Sequence, residues 1–110
     1  MKQIYNYWMP DTDNHFERLI TKRVRNGGPP QYQDDVRDEA YKYVTDFDLV
    51  IDVGANVGLW AVHLAEKFTQ VIAYEPMHQV YECLHLNVKD LNVQISEYAS
   101  GKFTSQVTIE

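Results

Sequence analysis

Apolar and polar positions along the chain fall into two rhythms. Phe16, Leu19, Ile20 and Val24 recur at helical spacing behind Asp11, Thr12, Asp13 and Asn14. All four of those offer capping oxygens, so a helix is expected from Asp11. "NGGPP" at 26–30 ends it, because glycine supplies a left-handed C-terminal conformation and proline cannot continue the helix. Residues 27–32 read as a loop, and the aromatic-rich residues 1–10 carry no clear period. A second helix is expected from Asp34 to Val44. Val36, Ala40 and Val44 form its apolar stripe, and acidic residues sit near its start, where the helix dipole favours them.

The next segments change rhythm. "FDLVIDV" at 47–53 has too few polar breaks for a half-solvated strand and suits one buried on both faces, as in a parallel sheet. Val57, Trp60, Ala61, Leu64 and Phe68 then return to helical spacing, and "VIAYE" at 71–75 is a second short buried strand. "PMHQVYECLHLNVKDL" is again helical, with Pro76 suited to a first turn and Val80, Leu84, Val88 and Leu91 as its stripe. "VQISEYA" (93–99) alternates as a third strand, and "KFTSQVTI" (102–109) is a fourth strand or the start of a hairpin.

Strand, helix, strand, helix, strand is the α/β pattern. It implies a Rossmann-like, doubly wound parallel sheet with right-handed crossovers and a ligand crevice at the carboxyl ends of the strands. Residues 1–46 read as an N-terminal helical extension and residues 47–110 as a partial core. Three strands and part of a fourth, stopping inside the apolar run "QVTIE", read as a truncated domain.

Composition narrows the partners. The net charge of −6 argues against a nucleic-acid surface, and the one basic run, "TKRVR" at 21–25, reads as a solvated helix face. No apolar run approaches the ~18 residues that cross a bilayer, and no signal peptide is evident, so no membrane partner and a cytoplasmic location are expected. The single cysteine, Cys83, excludes an intramolecular disulfide and reads as core packing.

The candidate chemistry lies in "DVGANVG". Gly54 follows the first core strand, and Gly58 is expected in the first turn of the next helix. Glycine there allows a sharp turn and close approach of a ligand to exposed backbone amides. A tight turn without a ligand remains the alternative. Glu75 favours the ligand: it follows Gly54 by 21 residues at the end of the second strand, where a carboxylate can accept both hydroxyls of a ribose. The dinucleotide pattern G-x-G-x-x-G is not met, because Asn56 stands where the glycine that makes room for a pyrophosphate belongs. S-adenosylmethionine has no phosphate, and Asp52 suits its ammonium group.

"VIDVGANVGLW", then "AYEP", then "EYASGK" beyond a helix containing "LHLNV" resemble the FkbM-type family of S-adenosylmethionine-dependent methyltransferases over about residues 47–105. The resemblance implies a sheet of the class I methyltransferase type and methyl transfer to a hydroxyl of a sugar or small metabolite. It also implies cofactor contacts from Asp52, Gly54, Ala55, Asn56 and Gly58, a ribose contact from Glu75 with Pro76 behind it, and Tyr98 and Ala99 flanking the adenine. The later strands of that family, which carry much of its acceptor pocket, have no counterpart in this sequence.

No general base stands out. His63, His78 and His85 read as surface histidines, His15 as an ordinary helix-start residue that approaches the crevice only if the first helix folds over it with Trp8, and Trp60 as core. The histidine spacings form no metal-ligand set. The alternatives are an NAD(P)-dependent oxidoreductase fragment, or a non-catalytic remnant that pairs into a homodimer through an exposed sheet edge.

Overall fold

The computed structural model describes residues 1–98. Ala99 and the expected fourth strand at 102–109 lie outside the described residues.

The chain opens with an antiparallel hairpin of β1 (Lys2–Ile4) and β2 (Tyr7–Met9), paired Lys2 to Met9 and Ile4 to Tyr7. The N-terminal segment is therefore not solely helical. Its turn is led by Tyr5 at φ 53°, a conformation uncommon outside glycine and asparagine. With three-residue strands and no Asn-Gly or Asp-Gly turn, no period announced it. Tyr7 and Met9 are buried.

Helix α1 (His15–Arg25) starts later than Asp11. Asp13 does the capping, its carboxylate accepting from the amides of Phe16 and Glu17 at 3.5 and 3.2 Å. Gly27, at φ 91°, closes the helix as expected. Arg23, within the run read as solvated, makes a two-pronged bond to Asp34 at 2.9 and 2.8 Å.

Helix α2 (Asp34–Tyr41) is shorter than expected and presents a different face. Val36 is half-exposed and Ala40 is exposed, so the stripe Val36–Ala40–Val44 does not point inward as a unit. Arg37, only 2% exposed, and Tyr41 take that place. The guanidinium is drawn in by the Tyr32 carbonyl, the Gln31 side chain and the face of Trp60, while the Tyr41 ring packs on Phe47 and Phe68.

Strands β3 (Leu49–Val53), β4 (Gln70–Tyr74) and β5 (Val93–Ser96) form a parallel sheet in that order. Helices α3 (Ala61–Lys67) and α4 (His78–Val88) connect them. Val50, Val71, Ala73, Val93 and Ile95 pack with Ala61, Leu64, Phe68, Leu84 and Val88 in one apolar cluster. Fully burying a valine, leucine or phenylalanine of this cluster contributes about 1.5–3 kcal/mol. The opposite face carries Leu49, Ile51 and Val53, 51, 44 and 44% exposed. The expectation that β3 is buried on both faces is thus corrected: its continuous apolar run is half covered. A second cluster joins the N-terminal segment to the core, with Tyr7, Met9 and Ile20 packed against Val57, Leu59 and Cys83. Asn87 of α4 links the two again, accepting from Trp8 N–H and donating to the carbonyls of Trp8 and Val57.

Candidate functional site

The parallel register brings the carboxyl ends of the three strands level: Val53 pairs with Tyr74 and Tyr74 with Ser96. Beyond β3 the turn alternates left-handed positions, with Gly54 at φ 72°, Asn56 at 56° and Gly58 at 98°. Asparagine is among the few side chains that accept this region readily. The two glycines do different work. A Cβ on Gly54 would meet nothing within 4 Å, whereas one on Gly58 would come within 3.2 Å of Leu84 Cδ1. Gly58 therefore seats the turn on α4 and is not a point of ligand approach. It also precedes α3, which begins at Ala61.

The amides of this turn are spent internally. Gly54 and Ala55 both donate to the Tyr74 carbonyl at 2.9 Å, and Gly58 donates to Ala55 at 3.0 Å. Asn56 N–H donates to Glu75 Oε1 at 2.7 Å and Val57 N–H to Asn56 Oδ1 at 2.9 Å. The expectation of exposed amides facing a negative group is therefore corrected for Gly54 to Gly58. The amides from Gly54 to Gly58 offer no phosphate cradle.

Asp52, Gly54, Ala55 and Asn56 line one cavity of about 290 Å³, together with Phe16, Tyr32, Gln33, Leu59 and Trp60. That volume is at the small end for ligand pockets and suits one end of a nucleoside-sized molecule. Asp52 Oδ2 is buried with no hydrogen-bond partner among the described residues. Burial, with the nearby Glu75 charge adding to it, pushes the Asp52 carboxyl up to about 6. An orphaned buried carboxylate is costly unless a cation or donor reaches it.

Glu75 is 5% exposed, and its second oxygen accepts from Met77 N–H at 3.1 Å. It braces the turn from beneath. Glu75, Pro76, Gly58 and Tyr98 do not line this cavity, and Ala99 lies outside the described residues.

The cavity wall was not foreseen. Trp60, expected in the core, is half-buried and donates through Nε1 to Gln33 Oε1 at 3.0 Å, with Gln33 itself left-handed at φ 56°. Phe16, rather than its neighbour His15, reaches the cavity, and Trp8 does not. His63 is likewise no surface residue: its Nε2 is 2.7 Å from the Tyr7 hydroxyl. Burial, helped by the Arg37 charge, lowers its pKa, and burial pushes the Tyr7 phenol up to about 12. His78 and His85 are exposed, and Cys83 is fully buried, with burial pushing its thiol up. No helix among the described residues is long and apolar enough to cross a membrane.

The chain matches no protein-family model and no curated protein.

Proposed function

We propose that this chain carries the S-adenosylmethionine-binding part of a methyltransferase acting on a hydroxyl of a sugar or small metabolite. The observation that carries the reading is the orphaned Asp52 carboxylate in a cavity walled by Phe16, Tyr32 and Trp60. An ammonium or sulfonium group satisfies the carboxylate, and aromatic faces accept a cation or a flat base. The engaged amides of Gly54 to Gly58 and the side chain of Asn56 disfavour a diphosphate, which argues against the oxidoreductase alternative. Asp52 would hold the ammonium group, with Gly54, Ala55 and Asn56 forming the floor. Glu75 would keep its ribose role only by sharing oxygens already engaged with the turn. Bound S-adenosylmethionine supplies an electrophilic methyl group. The choice of a hydroxyl acceptor rests on the FkbM-type resemblance of "DVGANVG" and "AYEP".

Calorimetric titration with S-adenosylhomocysteine, and with NAD for comparison, tests the reading. Binding of the former alone, lost in Asp52→Asn, is expected. Binding of NAD, or no binding by the folded chain, would overturn it. Association through the sheet is a second reading, favoured by the exposed Leu49, Ile51 and Val53 on an edge strand. Sedimentation should then give a dimer that Ile51→Lys converts to monomer, and a monomeric parent chain would remove this reading.

A further inference from the structure

Charge is not spread evenly over this chain, whose net charge is −6. Helix α1 carries Arg18, Lys22, Arg23 and Arg25 against Glu17 alone. Helix α2, the next element, carries Asp34, Asp35, Asp38 and Glu39 against Arg37 alone. A positive helix is thus followed by a negative one of matching excess.

Within the chain these opposite charges meet once. Arg23 and Asp34 pair at 2.8 Å, and no other ion pair joins the two helices among the described residues. Arg18, Lys22 and Arg25 are four and three residues apart, which sets them on one helical face. Ile20 takes the opposite face into the core. All three cations are exposed, with no ion-pair partner among the described residues. Asp35 and Asp38, three apart on α2, are likewise exposed and unpaired, and Glu39 beside them holds only the exposed Lys42 at 3.0 Å. The positive stripe borders an open groove of about 470 Å³, to which Asn14, Glu17 and Thr21 also contribute. No aromatic ring lines that groove, so it lacks the stacking platform used by single-stranded nucleic acid. A row of carboxylates at helical spacing matches it better, and α2 displays one.

We propose that this chain associates with a second copy of itself, the Arg18–Lys22–Arg25 face of α1 in one copy docking on the Asp35–Asp38 face of α2 in the other. The lengths agree: Arg18 to Arg25 spans about 10 Å of helix and α2 is about 12 Å long. Exposed ion pairs are individually weak and screened by salt, so this association belongs to low ionic strength and high protein concentration. The net charge opposes approach at long range, whereas the paired faces attract at contact. The proposal does not depend on the cofactor reading. It also differs from association through the sheet, whose apolar residues salt does not screen.

Sedimentation velocity of the whole chain over a concentration series tests it, at ionic strengths of about 0.1 M and about 1 M, between which the Debye length shrinks from ~10 to ~3 Å. Concentration-dependent association is expected at the lower and a monomer at the higher. The double variant Arg18→Glu with Lys22→Glu should associate roughly tenfold more weakly, and so should Asp35→Lys with Asp38→Lys. Mixing the two should restore association, because each reversed face then meets its complement. All four positions are exposed, so both variants should fold by circular dichroism. Should the α2 double variant unfold, Asp38→Lys mixed with Lys22→Glu takes its place. Ile51→Lys should leave this association intact. A chain monomeric at both ionic strengths overturns the proposal. So does association that high salt leaves unchanged, association that survives both reversals, or a mixture of folded variants that stays apart.

Discussion

Two cavities back onto the same Arg37–Trp60 contact, one with Asp52 in its lining and the other, of about 260 Å³, with Arg37 among acidic and basic neighbours. Among the described residues, the Asp52 Oδ2 of the turn cavity lacks a partner and the Arg37 guanidinium of the neighbouring one lacks a counter-ion. They are not paired with each other: Asp52 lies near the end of β3, and Arg37 lies on α2 against the Trp60 ring. Keeping two opposite charges apart in a protein interior forgoes their mutual attraction and leaves each to be satisfied from outside. The comparison teaches that unsatisfied polarity, more than cavity size, separates these sites, since the volumes are nearly equal at about 290 and 260 Å³.

Breaking the wall should have the largest effect. Trp60→Ala removes a half-buried ring, the bond to Gln33 and the surface under Arg37. A loss of about 2–3 kcal/mol is expected in urea denaturation, below the range for a fully buried tryptophan. Next comes Asp52→Asn, which should stabilise the fold at neutral pH by about 2 kcal/mol and, on the proposed function, abolish binding of S-adenosylhomocysteine. The sign follows from the proton balance. The folded carboxyl titrates near 6 and the unfolded one near 3.8, so the folded state holds more protons between those values. Stability therefore falls as pH rises from 3.8 to 6, and Asp52→Asn should flatten that slope in thermal melts across the window. A cationic ligand needs the ionised form, so its affinity should drop as pH falls through about 6.

Smaller changes sharpen the other cavity. Tyr7→Phe removes the hydroxyl held against His63 and should cost about 1 kcal/mol, read by chemical denaturation. Glu66→Gln should alter stability by less than ~0.5 kcal/mol. Its signature is a further drop in the His63 pKa on NMR titration, because the Glu66 charge partly offsets the lowering by burial.

The sheet, its order along the chain and the turn at Gly54 were legible because apolar runs, glycine and strand spacing are local signals. Asp52, Gly54, Ala55 and Asn56 come together in one cavity for the same reason. What was not legible depended on tertiary competition. Val36 and Ala40 have the right spacing for a core stripe, yet Arg37 occupies the inward face because a carbonyl, an amide side chain and an indole face converge on it. No helical period marks an arginine as inward. Glu75 was placed correctly at the strand end, but its engagement with the amides of Asn56 and Met77 depends on atoms two and nineteen residues away. The two-sided burial expected for β3 failed because an apolar run reports which surfaces could be covered, not which are.

Asn87 carries a consequence for the order of folding. Its bonds to Trp8 close a loop of 79 residues, whereas the β3–α3–β4 unit forms from neighbours in sequence. Loop entropy is spent before such a distant contact can reward it. The hairpin therefore cannot register on α4 until α4 exists, and it is expected to be among the last elements to reach its final place.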